Sequence, residues 1–350
     1  PVVVPLVIVL CVVLAAWFWL RQHPNAPPEF PGSLPVIGHS HQLLGDRKHL
    51  WNFLKKIQYA SLAKRGVIQV RLFTHTIYVV TDPDDALTIS NSCLSKPYLY
   101  DFGKDQFKNG LVTAEPSIWK VHRKLLNPAF NQHVLNTYVN EINVQAGSLV
   151  SQLALKAGKD PFDVRKFFVN YALSTVTRTS LGLNTQDQTI IVTDYAKAVD
   201  KLFALYSDRG TKVWLHLPFI FDWSAMKRKQ TQLLKTVKNI LDPIICKRRS
   251  ELKTNMYDDS TPDKFKPLLD KMLHMAEEQD AYTDDDIREH LNTLVAASYD
   301  TTSSTLTFIL ITLGSHRDLQ DRIYNEELHI ASWKYLHIRV VRCPPSPPVG

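Results

Sequence analysis

The sequence predicts a mainly α-helical protein with a small β region behind one N-terminal transmembrane helix. Three observations support this fold class: an apolar run over residues 2–20, helical spacing of apolar residues along most of the chain, and one short pair of segments rich in β-branched residues. The chain has 350 residues, which is enough for a large core and is typical of roughly two domains.

The first element is the apolar run from Val2 to Leu20, which a single proline interrupts. About 20 such residues span the hydrocarbon core of a bilayer. Trp17 and Trp19 stand near its end, where aromatic rings favour the interface, and Arg21 follows. A cleaved signal peptide is the alternative, but the small residues before Trp17 make a poor cleavage site. We therefore expect residues 2–20 to anchor the chain, with the remainder in the cytosol.

A proline-rich segment over residues 21–45 follows the anchor, and a predicted hairpin comes after it. Prolines fix the backbone and cannot continue a helix, so residues 21–45 are interpreted as a stiff linker. Val67 to Val70 and Thr76 to Thr81 are rich in β-branched residues, and Phe73-Thr74-His75 separates them. Asp82-Pro83 then begins a helix.

Most of the remaining chain has helical periodicity. Tyr138 to Leu155 and Phe162 to Leu181 carry apolar residues at steps of three and four. Asn255 to Asp263 is polar and rich in turn residues, so we expect an exposed loop there.

The charge balance is basic, with 41 Lys and Arg against 34 Asp and Glu. A net charge of +7 favours anionic lipid or an acidic protein as a partner. No nucleic-acid-binding motif accompanies the charge, so we expect no nucleic acid partner. The basic stretch from Lys227 to Arg249 is interpreted as a solvated helix face or a contact with lipid headgroups. The four cysteines are far apart and show no metal-binding spacing.

The longest predicted helix runs from Thr283 to Leu313. Thr283 and Asp286 have the spacing of a capping box, and Gly314 is expected to end the helix in a left-handed conformation. The centre is a polar block from Ser298 to Thr305. Ser, Thr and Asp inside a helix compete with the backbone for hydrogen bonds, and a buried carboxylate there is costly unless something uses it.

Two interpretations of this block remain open. In one, it is a solvated turn whose hydroxyls bond back to the preceding carbonyls. In the other, it is a proton relay facing a flat cofactor. Ala296, Ala297 and Ser298 would then leave room for the cofactor, and Asp300 and Thr301 would pass protons to bound oxygen.

A second candidate segment is a helix that Pro116 opens. Trp119 and Arg123 stand four residues apart in it and therefore share one face. A surface cation–π pair is the usual meaning of this spacing. An indole N–H and a guanidinium are also both suitable hydrogen-bond donors to a carboxylate.

Both segments resemble motifs of the cytochrome P-450 family. Ala297-Ser298-Tyr299-Asp300-Thr301-Thr302 is similar to its oxygen-activation segment, small-Gly-x-Asp-Thr-Thr, with Ser298 in place of Gly. Many family-4 members have Glu, which can bond covalently to haem, where Ala297 stands, so we expect no covalent link. Trp119 to Phe130 resembles the helix whose Trp and Arg hold a haem propionate. Phe30 to His39 resembles the proline hinge of microsomal members.

The resemblance implies a cytochrome P-450 fold and a haem-thiolate monooxygenase. Such an enzyme inserts one oxygen atom from O₂ into a lipophilic substrate such as a fatty acid, a hormone-like lipid or a xenobiotic. It implies haem as cofactor, held by Trp119 and Arg123 and accommodated by Ala297 and Ser298, with Asp300 and Thr301 as the catalytic proton relay. It also implies electrons from NADPH through a reductase, and a cytosol-facing domain on the endoplasmic reticulum membrane.

The resemblance covers residues 2–328 and then ends. Neither the Glu-x-x-Arg helix nor the loop with the axial cysteine is found intact, and Cys343, which prolines follow, is a poor candidate ligand. We therefore expect a C-terminally truncated member, with a partial domain over residues 46–328 and an aberrant tail over 329–350. The alternative is a non-catalytic, membrane-anchored fragment that lacks the axial cysteine. An unrelated helical interaction protein is a third hypothesis.

Overall fold

The computed structural model describes residues 26–64, 66–183, 188–254, 265–279 and 281–331, with a few isolated positions between 5 and 14. The side chains of residues 327–331 are not described. Most of the predicted anchor, the whole of the loop at 255–263, and Cys343 lie outside these ranges. In the part of the chain that the structure describes, no helix is both long enough and apolar enough to cross a membrane.

Helices dominate the described residues, as the sequence predicts, and a two-stranded sheet forms the β region. The strands are β1 (Val67–Leu72) and β2 (His75–Val80). The helices are α1 (Arg47–Ala63), α2 (Pro83–Ser92), α3 (Lys104–Phe107), α4 (Pro116–Leu126), α5 (Gln132–Ala154), α6 (Arg165–Val176), α7 (Ala196–Thr211), α8 (Pro218–Asp222), α9 (Ala225–Thr254), α10 (Leu268–Gln279), α11 (Asp284–Ser315) and α12 (Arg317–Ala331).

Contacts divide the chain into two compact units. The first unit comprises residues 1–105 and 201–232, and the second comprises residues 106–200 and 233–350. Each unit is therefore assembled from two separate stretches of chain.

The first unit is built on the predicted hairpin. β1 and β2 pair antiparallel, from Val67 opposite Val80 to Leu72 opposite His75. Phe73 turns the chain with a positive φ of 53°. The buried side chains of β1 join a core with residues of α1, and the hairpin prediction is confirmed. α2 begins at Pro83 as expected, and the Asp82 carboxylate caps it by accepting from the backbone N–H groups of Asp84 and Asp85.

The proline-rich segment packs against this hairpin from residue 28 onward. Gln69 donates its backbone N–H to the Pro28 carbonyl at 2.9 Å, and Phe30 donates to the Gln69 carbonyl at 2.9 Å. The Phe30 ring is buried and meets Phe53 edge-on. This part of the segment is therefore hydrogen-bonded to the sheet and is not a free linker.

The second unit is built around α11, against which α6 packs. The capping box is confirmed: the Thr283 hydroxyl accepts from the Asp286 N–H, and the Asp286 carboxylate accepts from the Thr283 N–H. The predicted stop at Gly314 is wrong, because α11 continues through it to Ser315. A Cβ at Gly314 would meet nothing within 4 Å, so no contact demands a left-handed turn there.

The basic stretch of α9 is tied into the unit rather than solvated throughout. Arg248 donates to both carboxylate oxygens of Asp270 at 2.6 and 2.7 Å, and Asp270 is buried. These two hydrogen bonds raise the pKa of Arg248. Arg249 makes a similar pair with Asp284 at the start of α11. These residues therefore fasten α9 to α10 and α11. A helix face exposed only to solvent would not make such contacts.

Candidate functional site

All six residues that the sequence singles out lie in the second unit, on α4 and α11. The two helices meet where His290 Nε2 of α11 lies 2.9 Å from His122 Nδ1 of α4. The structure therefore brings α4 and α11 into contact at His122 and His290, although the two helices are far apart in sequence.

Trp119 and Arg123 occupy an accessible face of α4. Glu115 precedes the helix and Pro116 takes its first turn, where a missing N–H costs nothing. Trp119 is half-buried and Arg123 is exposed. Among the described residues Arg123 makes no ion pair, so its guanidinium is available to an anion.

Small side chains form a surface on α11. Ala296 is buried, whereas Ala297 and Thr301, four residues apart on one face, are exposed. The Ser298 hydroxyl donates to the Leu294 carbonyl at 2.6 Å and is turned back onto its own helix. The arrangement leaves a low surface against which a flat group can lie.

Three hydroxyls of the polar block bond back to preceding carbonyls. Besides Ser298, Thr301 Oγ1 donates to the Ala297 carbonyl at 2.8 Å and Ser303 Oγ donates to the Asp300 carbonyl at 3.2 Å. This confirms that part of the first interpretation. The proton-relay interpretation stays open, because the oxygen of a hydroxyl that donates one hydrogen bond still accepts others.

Asp300 is not buried, which corrects the expectation from sequence. Its side chain is 37% exposed and pairs with Arg165, whose Nη2 lies 2.7 Å from Oδ1. Arg165 is the first residue of α6. A cation supplied by another helix therefore holds this carboxylate, and its energetic cost is much smaller than for an unpaired buried acid.

The structure also shows a buried hydrogen bond next to the motif that the sequence did not predict. Tyr299 is fully buried, and its hydroxyl donates to Asp200 Oδ1 at 2.9 Å. Burial and the neighbouring carboxylate raise the pKa of Tyr299. The spacing of Leu291, Val295 and Tyr299 along one helix face is the sequence signal that could have placed this tyrosine in the core.

A second missed feature fixes the segment before α4. Glu289 of α11 is buried and accepts the backbone N–H of Asn109 at 3.0 Å. Burial raises the pKa of Glu289, and the Asn109 hydrogen bond and the nearby Lys108 oppose that shift. Gly110 fits tightly here, since a Cβ would lie 2.1 Å from Thr293 Oγ1. The chain entering α4 is therefore seated directly on α11.

These residues fit the edge of a haem, but they do not supply an axial ligand. Arg123 offers an unpaired donor for a propionate, and Ala297 offers space for a ring. Cys93 and Cys246 are exposed and lie on neither α4 nor α11. Within the described ranges, no cluster of three metal-ligating side chains occurs.

A mainly helical unit with these two motifs on touching helices is typical of one class of haem protein. The family model of cytochrome P450 matches residues 27–333, so the chain belongs to the cytochrome P450 family.

Several cytochromes of the family-4 type are similar to this chain. Cytochrome P450 4c21 of Blattella germanica is 27% identical over 88% of this chain and 62% of its own length. Cytochrome P450 4c3 of Drosophila melanogaster is 26% identical over 85% and 58%, and cytochrome P450 4V2 of Homo sapiens is 25% identical over 88% and 60%. The chain thus spans about three-fifths of the length of these relatives.

Proposed function

We propose that this chain forms part of a haem-thiolate monooxygenase that inserts one oxygen atom from O₂ into a lipophilic small molecule. The observation that carries the proposal is the unpaired Arg123 beside Trp119 on α4, in the same unit as the small-residue surface of α11. Haem would supply the oxidising chemistry when bound, and the protein would supply position and protons.

Each site residue has a distinct role in this proposal. Arg123 and the Trp119 indole N–H donate to a propionate carboxylate. Ala297 and Ser298 leave room for the ring on α11. Rotation of the Thr301 hydroxyl away from the Ala297 carbonyl would free its proton for delivery on the exposed side of the helix, and Asp300 takes part in the same relay from its place beside Arg165.

The propionate role can be tested in a chimera in which residues 1–333 are joined to the C-terminal part of cytochrome P450 4c21. Arg123→Gln is expected to weaken haem retention by about 10-fold or more, because a charge-assisted hydrogen bond is lost. Haem loss to apomyoglobin measures this. Arg322→Gln, at an exposed residue of α12, serves as the control. Equal haem loss in both variants would remove Arg123 from the site.

The relay role predicts a different outcome in the same chimera. Thr301→Ala should consume NADPH at a similar rate but release more hydrogen peroxide and less product, because a positioned proton donor is lost. Thr301→Ser, which keeps the hydroxyl, should retain most of the coupling. If Thr301→Ala forms as much product per NADPH as the parent, Thr301 has no role in the relay and only bonds to the Ala297 carbonyl.

The partners and location follow from the same proposal. We propose electrons from NADPH through a membrane-bound reductase, and a lipophilic substrate such as a fatty acid, a hormone-like lipid or a xenobiotic. Val2 to Leu20 would hold the chain on the endoplasmic reticulum with its folded part in the cytosol. Carbonate extraction of microsomes should leave the chain in the pellet, and added protease should digest it. Release into the supernatant would contradict the anchor.

The second candidate function is a non-catalytic, membrane-anchored fragment. The exposed positions of Cys93 and Cys246, away from α4 and α11, favour it for the 350-residue chain. Expressed with ample haem, this chain is expected to give no thiolate-type band in its reduced, carbon-monoxide-bound spectrum. A thiolate-type band that disappears in Cys343→Ala would overturn this candidate and identify the ligand.

A further inference from the structure

The side chain of Asn292, on α11, joins two stretches of chain inside the second unit. It is buried, with 5% of its surface exposed. Its Nδ2 donates to the backbone carbonyl of Gln106 at 2.8 Å, and its Oδ1 accepts from the hydroxyl of Tyr195 at 2.8 Å. Gln106 lies in α3, ahead of α4, and Tyr195 lies directly before α7. One amide on α11 is therefore hydrogen-bonded to both stretches at once.

The partners fix the direction of both hydrogen bonds. A backbone carbonyl only accepts, so the NH₂ group of Asn292 must face Gln106 and its side-chain oxygen must face Tyr195. Tyr195 is fully buried, and burial raises the pKa of its hydroxyl, so this hydroxyl stays protonated and donates. An ionised carboxylate or an aliphatic side chain at position 292 could not bond to both partners.

A π-helical turn over Ile191–Tyr195 presents the tyrosine to α11. Such turns are rare and occur frequently at functional sites. Ile191, at the other end of the turn, is also fully buried. The Tyr195 hydroxyl is therefore held by a turn that is packed at both ends.

The stretch from Gln106 to α4 is closed by its own hydrogen bonds. The N–H of Thr113 donates to the Gly110 carbonyl at 3.1 Å, and its hydroxyl donates to the Lys108 carbonyl at 2.7 Å. Because these bonds hold the stretch together, a displacement at Gln106 is carried to the start of α4. That helix bears Arg123, the residue assigned to a haem propionate.

Asn292 thus stands between a packed turn and the helix at the edge of the proposed site. We propose that Asn292 couples the π-helical turn to the stretch before α4, so that Tyr195 and Asn292 act as positioning residues for α4. The inference rests on the proposed function in one respect, the assignment of Arg123 to a propionate. The coupling itself belongs to the polypeptide and does not require haem.

Amide hydrogen exchange of the 350-residue chain in detergent, without haem, tests the coupling. Tyr195→Phe deletes one hydroxyl and should accelerate exchange across residues 106–119 about 5-fold or more, because one hydrogen bond of the link is lost. Exchange in α10 should stay within about 2-fold of the parent chain.

The matched control is Tyr138→Phe, at another buried tyrosine of the same unit. The Tyr138 hydroxyl donates to the Lys266 carbonyl at 3.3 Å and has no bond to Asn292. This variant should leave exchange across residues 106–119 unchanged.

A double variant tests whether Asn292 is the link. Asn292→Leu, which is similar in size, removes both hydrogen bonds. On this background, Tyr195→Phe should not accelerate exchange across residues 106–119 any further, because the route is already broken. If Asn292→Leu does not fold, the comparison of Tyr195→Phe with Tyr138→Phe decides the proposal by itself.

Three results would overturn the proposal. Unchanged exchange across residues 106–119 in Tyr195→Phe would mean that the two stretches are not coupled. Equal acceleration in α10 would mean that Tyr195 supports the whole unit and positions nothing in particular. Further acceleration on the Asn292→Leu background would route the coupling past Asn292. None of these results bears on haem, which the Arg123→Gln comparison tests separately.

Discussion

At the scale of single residues, the contact between His122 and His290 has a consequence for pH dependence. His290 is fully buried. Burial, followed by the proximity of His122, lowers its pKa from 6.5 to about 4, and Asp286 opposes that shift. The phenol ring of Tyr282 packs against both imidazoles. The folded chain therefore keeps His290 neutral under conditions in which an unfolded histidine is charged.

The unfolded state binds more protons than the folded state between about pH 4 and pH 6.5. The free energy of unfolding should therefore fall as the pH drops through this window, by roughly 2–3 kcal/mol from this group alone. In His290→Gln this part of the loss should disappear. Urea unfolding at pH 7 and pH 4.5 measures the difference.

The control for this experiment is Asn170→Gln, at an exposed position of α6. Neither side chain titrates, so this variant should keep the pH dependence of the parent chain. If His290→Gln loses as much stability on acidification as the parent does, the buried pair is not the group that titrates.

At the scale of elements, two glycines in the same unit should respond to alanine in opposite directions. A Cβ at Gly110 would lie 2.1 Å from Thr293 Oγ1 and 2.9 Å from the Glu289 carbonyl of α11. A Cβ at Gly147, inside α5, would meet nothing within 4 Å. The difference depends on the element that each glycine faces rather than on its local sequence.

Gly110→Ala should destabilise the chain by about 2 kcal/mol or more, because the backbone of α11 cannot move aside as a flexible side chain can. Gly147→Ala should stabilise it by roughly 0.5–1 kcal/mol, since alanine loses less conformational freedom in a helix. Thermal unfolding monitored by circular dichroism checks both. A neutral effect of Gly110→Ala would show that the segment before α4 does not pack on α11 this closely.

At the scale of the whole molecule, four consecutive apolar residues near the end of α11, Phe308 to Ile311, are exposed on successive sides of the helix. Phe308 is 68% exposed and Ile311 is 60% exposed, and Ile309 and Leu310 between them are also exposed. A helix that is apolar all round is typical of the interior of a larger structure. An exposed apolar surface of this kind favours association between copies of the chain.

We therefore expect the 350-residue chain to be poorly soluble, and the double variant Phe308→Glu/Ile311→Lys to increase its soluble yield several-fold. Centrifugation after expression with haem measures this yield. Trp223→Lys, at an 88% exposed position in the first unit, is the control for an isolated apolar residue and should have little effect. An equal gain from Trp223→Lys would contradict the role of α11.

The amino-acid sequence by itself determined the features that local patterns encode. These include the hairpin at residues 67–80, the helix that begins at Asp82-Pro83, the Thr283 helix cap, and the pairs of residues that share one face of α4 or α11. Backbone geometry and hydrogen bonds within a few residues decide such features, so spacing is enough to predict them.

Tertiary structure alone decided which groups meet across long stretches of sequence. The ion pair between Asp300 and Arg165 spans 135 residues, and the contact between His122 and His290 spans 168. The sequence suggested a buried acid at Asp300 and a helix stop at Gly314, because neither the partner from α6 nor the open surroundings of the glycine can be read locally. Burial and pairing depend on the packing of separate helices, which is why the two hydrogen bonds of Asn292 also became visible only in the folded chain.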